Sequence, residues 1–142
     1  MAQKILVIDD DQSNLMLLAF AFKGDGTEIM GALSGQEALA LLAVNSYDLV
    51  FIDIDLPDIS GLILAGHFRQ ALPVGLIAMS TAMNNQDIIQ QACLAGANLY
   101  IIKPYTIMDV VKFLRETPKD SLHQPRQITV IDNRSTIRTY QF

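Results

Sequence analysis

Lys4-Ile5-Leu6-Val7-Ile8-Asp9-Asp10-Asp11 decides the fold. Ile5 to Ile8 is a continuous apolar run, three of its four residues β-branched, as a strand buried on both faces requires. Three carboxylates end it. The stretch that follows, with Ser13 or Asn14 as its cap, predicts a helix through about Lys23, closed by Gly24 and Gly26. The same rhythm then repeats. Thr27 to Leu33 reads as a second strand and Gly35 to Ala43 as a helix. Asp48 to Ile52 is a third strand, followed by a Pro57–Gly61 loop and a helix to about Ala71. Pro73 opens a fourth strand reaching Ser80, and Asn84 to Leu94 is a helix closed by Gly96. Asn98 to Ile102 is a fifth strand and Thr106 to Arg115 a fifth helix. Five strands alternating with five helices imply a doubly wound α/β fold, a five-stranded parallel sheet with helices on both faces. Its ligand crevice should lie at the carboxyl ends of the strands.

The 142 residues make one domain-sized chain, with 51% apolar and 18% charged residues, enough to bury a core. Ten basic against fifteen acidic side chains give a net charge of −5, which argues against direct nucleic-acid binding. The single cysteine, Cys93, excludes an internal disulfide and a cysteine-rich zinc site and fits a reducing, cytoplasmic compartment. The longest apolar run, Leu15–Phe22, is far too short to span a bilayer, and the Met1-Ala2-Gln3-Lys4 start does not read as a signal peptide, so no membrane association is expected.

Residues 1–116 read as the main domain and residues 117–142 as a linker and tail. Ile128-Thr129-Val130-Ile131 and Thr136-Ile137-Arg138-Thr139-Tyr140 flank a turn at Asp132-Asn133-Arg134-Ser135, which predicts a C-terminal β-hairpin. The tail carries four basic and two acidic residues, against six and thirteen before it. An isolated hairpin must pack or pair to persist. The first helix, apolar all round from Leu15 to Phe22, also needs a cover, either the chain's own tail or a second subunit. A homodimer through the tail and the first helix is therefore expected.

Several side chains collect at the carboxyl edge. Asp9, Asp10 and Asp11 follow the first strand, Asp53 and Asp55 the third, Ser80 and Thr81 the fourth, and Lys103 the fifth. Carboxylates crowded into one crevice repel each other unless a cation neutralises them. Mg²⁺, an oxygen-seeking ion that suits one or two carboxylates together with a phosphoryl oxygen, is the expected cofactor. A lysine and a hydroxyl opposite the acids complete a phosphoryl-transfer site with an aspartate nucleophile.

On Ile8-Asp9-Asp10-Asp11, Asp53-Ile54-Asp55-Leu56-Pro57-Asp58-Ile59-Ser60-Gly61, Ser80-Thr81-Ala82 and Tyr100-Ile101-Ile102-Lys103-Pro104, the chain resembles the receiver domains of two-component response regulators. The similarity spans residues 3 to about 116 and implies a flavodoxin-like strand order, 2-1-3-4-5. It implies that Asp53 accepts a phosphoryl group from a sensor histidine kinase or a histidine phosphotransfer protein. It also implies that Asp10 and Asp53 bind Mg²⁺ directly, that Asp9 acts through water and that the Asp55 backbone carbonyl adds a ligand. Thr81 and Lys103 would hold the phosphoryl group, Tyr100 would be a switch aromatic, and the Lys103–Pro104 bond would be cis. Asp55 departs from the family pattern, where a neutral or apolar residue is more usual, and should alter metal affinity and phosphoryl lifetime. Such a protein is a switch whose own chemistry is limited to gaining and losing one phosphoryl group, not an enzyme acting on a separate substrate.

Two rivals remain. A small phosphatase of the haloacid-dehalogenase type also uses an Asp-x-Asp string, which Asp53-Ile54-Asp55 imitates. Its nucleophile strand should come first and its acidic pair should follow the lysine, and neither holds here. A degenerate receiver used only for binding is opposed by the retained Asp53, Thr81 and Lys103.

Overall fold

Along the first strand Leu6 and Ile8 face one side and Ile5 and Val7 the other, and all four are buried, as the apolar run demanded. This computed structural model describes residues 3–24 and 26–142; the Met1-Ala2 start lies outside the described residues. The elements are β1 (Gln3–Ile8), α1 (Gln12–Phe22), β2 (Thr27–Ala32), α2 (Gly35–Val44), β3 (Leu49–Asp53), α3 (Gly61–Ala71), β4 (Leu76–Thr81), α4 (Gln86–Ala95), β5 (Leu99–Ile102), α5 (Ile107–Glu116), α6 (Lys119–Leu122), β6 (Gln127–Ile131) and β7 (Ile137–Gln141). The sheet order is β2-β1-β3-β4-β5-β6-β7. Strand order 2-1-3-4-5 is present, and the fold is the flavodoxin-like α/β class with a C-terminal antiparallel hairpin.

The hairpin is no loose appendage. β6 pairs parallel with β5, matching Tyr100 to Val130, and β7 then returns antiparallel. α5 and the single turn of α6 supply the length that a parallel crossover requires. Within the stretch expected as a linker, Leu122 on α6 is buried in the core. α1 and α5 cover one face of the sheet through Leu18, Phe22, Val110 and Val111; α2, α3 and α4 cover the other through Ala38, Leu64, Phe68, Ile89 and Ala92.

Local differences from the sequence reading have local causes. Asp11 rather than Ser13 or Asn14 caps α1, its carboxylate accepting the Ser13 and Asn14 N–H groups, and the helix ends at an extended Lys23 rather than at a glycine cap. α4 starts at Gln86 rather than Asn84, with the Asn85 side chain accepting the Ile88 N–H as its cap. β4 starts at Leu76, not Pro73, because the carbonyls of Leu72 and Gly75 turn toward the Arg69 guanidinium, at 2.9 and 2.7 Å. That guanidinium also donates to the Gly96 carbonyl and to Asn98 Oδ1. It thereby ties α3 to the starts of β4 and β5. The tail does not cover α1: Met16, Leu17 and Phe20 are 62%, 57% and 78% exposed.

Candidate functional site

Strand register assembles the site. β1 and β3 are neighbours with Ile8 opposite Ile52, so the next residues, Asp9 and Asp53, emerge side by side. Asp10 adds a third carboxylate, and one oxygen from each of the three lies within 4.8 Å of the others. Two strands away, Lys103 leaves the end of β5, its backbone N–H bonded to the Thr81 carbonyl. Its Nζ reaches back to Asp53 Oδ2 at 3.1 Å. The Lys103–Pro104 peptide bond is cis.

Each acid is held in a distinct way. Asp9 is buried; its Oδ1 accepts the Asp11 N–H at 2.9 Å and its Oδ2 accepts the Asn14 side-chain amide. Burial pushes the Asp9 carboxyl above its ordinary value against those two hydrogen bonds, and the charge of Asp53 adds to the rise. Asp53, also buried, accepts the Asp55 N–H on Oδ1 at 2.9 Å. Asp10 is exposed at the rim. Burial alone would lower the Lys103 ammonium, but its hydrogen bond to Asp53 and the charges of Asp53 and Asp9 outweigh that and raise it. Three acids against one lysine leave net negative charge in the crevice, and the donor set is all oxygen. That arrangement fits a hard divalent cation such as Mg²⁺.

Beneath the acids α3 begins very close to β3. A Cβ on Gly61 would stand 2.6 Å from the Asp53 carbonyl oxygen and from the Ile54 Cα, so the glycine of the Asp53–Gly61 string is needed for this approach.

The structure brings Asp9, Asp10, Asp53 and Lys103 together. Thr81 is arranged differently. Its buried hydroxyl donates to Asp55 Oδ2 at 3.2 Å and accepts the Met83 N–H at 3.2 Å. Tyr100 is completely buried, and its hydroxyl donates to the Met83 carbonyl at 2.7 Å. Burial and the nearby Asp55 push its phenol up to about 12. Ser80, the other hydroxyl at the end of β4, has a buried oxygen without a hydrogen-bond partner among the described residues.

Sequence reasoning missed three contributors. Asn14 orients Asp9, which its place three positions after the cap residue does not announce. The Tyr105 ring packs near Phe51, with centroids 6.1 Å apart, and its hydroxyl is buried behind the crevice. Asp58 accepts the Gly35 and Gln36 N–H groups at 2.9 Å each and anchors the start of α2. Those bonds hold its carboxyl below the usual range. A cleft beside the acids is lined by Asn14, Ala82, Lys103, Pro104, Tyr105 and Ile107.

Comparison with known proteins points to one family. The family described as "Response regulator receiver domain" matches residues 5–115. The transcriptional regulatory protein PdtaR of Mycobacterium tuberculosis is 32% identical over 77% of the chain, which spans 53% of that protein's length. A CheY-like response regulator receiver domain protein from Methanospirillum hungatei superposes with a TM-score of 0.78 at 27% identity, covering 86% of this chain and 97% of the other. A response regulator from Burkholderia pseudomallei, described with a phosphorylated aspartic acid, calcium ion and citrate, superposes with a TM-score of 0.74 at 25% identity. That match covers 84% of this chain and 70% of the other.

Proposed function

The chain belongs to the response regulator receiver family, and from that premise we propose that it is a phosphoacceptor switch in which Asp53 takes a phosphoryl group from a phosphohistidine. Receiver domains work with histidine kinases or phosphotransfer proteins and are phosphoacceptors rather than enzymes with a separate substrate. The observation that carries the reading is the buried Asp53 carboxylate, paired with Lys103 and clustered with Asp9 and Asp10. An Asp53 oxygen bonds to phosphorus as the P–N bond breaks, and the electron pair returns to the imidazole, which takes up a proton.

Lys103 stands on the Asp53 Oδ2 side, where its ammonium would neutralise a phosphoryl oxygen. Asp10 and Asp53, with Asp9 through water and the Asp55 carbonyl, are the residues that would hold Mg²⁺. The ion supplies further charge neutralisation at the phosphoryl group. Residues 1–116 form the receiver unit in this reading, and residues 117–142 extend its sheet.

Tyr100 would carry the signal. It shares Met83 with Thr81, and its neighbour across the strand is Val130 of β6. A change at Thr81 would therefore be felt at the hairpin as well as at α4. The exposed Met16, Leu17 and Phe20 on α1 offer an apolar surface for a homodimer, with the outer edge of β7 as a second contact. Light scattering tests this: a dimer that Phe20→Asp dissociates supports it, and a monomeric wild type removes it.

The phosphatase reading is separated by one experiment. The protein is incubated with acetyl phosphate and Mg²⁺, and its intact mass is measured. A gain of one phosphoryl group supports the switch. Repeated turnover of assorted phosphomonoesters, with no protein-bound phosphate, would support the phosphatase instead.

A further inference from the structure

A hydroxyl has one proton to give, and in this protein Thr81 gives it to Asp55. Resting on the phosphoacceptor reading above, we propose that the Asp55 carboxylate is a latch: it withholds the Thr81 hydroxyl from the phosphoryl site and so opposes the phosphorylated conformation.

Three observations carry this. First, Asp55 is anchored to the nucleophile itself, its N–H bonded to Asp53 Oδ1 at 2.9 Å, so its side chain starts from a fixed point beside the site. Second, the single proton of the Thr81 hydroxyl is already committed to Asp55 Oδ2, while its oxygen accepts the Met83 N–H. The hydroxyl cannot donate to an oxygen on Asp53 without leaving Asp55. Third, the latch reaches past Thr81. Met83 receives the Tyr100 hydroxyl on its carbonyl, so Asp55, Thr81, Met83 and Tyr100 form one hydrogen-bonded series from the site to β5.

Asp55 is exposed, so its hold is a modest one that a well-placed phosphoryl group can overcome. The carboxylate thus sets a threshold for switching. It is a positioning residue acting through Thr81.

The test measures beryllofluoride binding in Mg²⁺ to the full chain, in wild type, Asp55→Ala, Thr81→Ala and the double variant. A latch predicts that Asp55→Ala binds about five-fold more tightly than wild type, the worth of one exposed charge-assisted hydrogen bond. The gain should vanish when Thr81 is already alanine. A second readout needs neither metal nor mimic: the Met83 amide resonance should shift in Asp55→Ala and stay put in Asp55→Asn, whose amide oxygen still accepts. An equal gain in both Thr81 backgrounds would mean that Asp55 acts only as a nearby negative charge, and the latch is overturned. Unchanged affinity in Asp55→Ala overturns it as well. No binding in any variant, the wild type included, would remove the phosphoacceptor reading and the latch with it.

Discussion

The two ends of the sheet handle buried charge in opposite ways. At the amino ends of β4 and β5, the half-buried Arg69 guanidinium meets neutral acceptors, the carbonyls of Leu72, Gly75 and Gly96 and the Asn98 side chain. Asn98 in turn accepts the Ile77 N–H and donates to the Leu122 carbonyl, joining α6 to the same hub. At the carboxyl ends, three aspartates face one lysine, and Lys103–Asp53 is the only ion pair among the described residues. The first end is saturated with hydrogen bonds, and its charge serves the fold. The second keeps like charges together at a cost in stability, as the proposed metal and phosphoryl site requires.

Breaking the saturated end should have the largest effect. Arg69→Ala removes donors from several turns at once and should cost about 3 kcal/mol in chemical denaturation. Arg69→Lys should recover little, since one ammonium cannot reproduce the guanidinium's planar fork. A loss below about 1 kcal/mol would show that water replaces the hub easily and that the contrast between the two ends is overstated.

Metal should act only at the other end. Mg²⁺ at ten times its Kd should stabilise the protein by about 1.4 kcal/mol. The gain should disappear in Asp10→Ala and persist in Arg69→Lys. A thermal shift surviving in Asp10→Ala would move the metal elsewhere.

A smaller effect sharpens the electrostatic side. The folded Asp9 carboxyl lies above its ordinary value of 3.8, so the fold disfavours its ionised form. The penalty is present wherever Asp9 is ionised and is relieved as pH falls through its folded value toward the unfolded one. Without metal, Asp9→Asn should therefore be more stable than wild type near neutral pH, with the advantage fading in acid. Melts across that range check both parts. An Asp9→Asn variant that is less stable at neutral pH would mean that its hydrogen bonds outweigh the burial of charge.

The smallest effect belongs to the rim. From the exposed hairpin turn Ser135 donates to Asp109 on α5 at 2.8 Å, and Ser135→Ala should change stability by less than about 0.5 kcal/mol.

How much of this the sequence revealed follows from the range of the interactions. β1, β3, β4 and β5 were legible because two-sided burial leaves a mark in each run, whereas β2, only partly buried, was read from its place in the alternation. Ile5–Ile8 and Leu49–Ile52 need no partner to be recognised. The acidic cluster was legible for the same reason, since each aspartate sits at the end of such a run. The hairpin was visible as a local pattern. Its attachment to β5 was not, because the matching of Tyr100 to Val130 spans two helices. Arg69 looked like an ordinary residue near a helix end, and its acceptors come from segments that only the folded chain brings together. The partner of Thr81 was hidden too. Asp55 stood out as a departure, but nothing in its position pointed its side chain at a hydroxyl on the next strand.

The central claim, that Asp53 is the phosphoacceptor, is tested most directly by mapping the modified residue. After treatment with acetyl phosphate and Mg²⁺, borohydride reduction converts an aspartyl phosphate to homoserine, which peptide mass spectrometry locates. The account predicts homoserine at position 53 and none in Asp53→Asn. Homoserine at position 55 or 10, or labelling undiminished in Asp53→Asn, would contradict it.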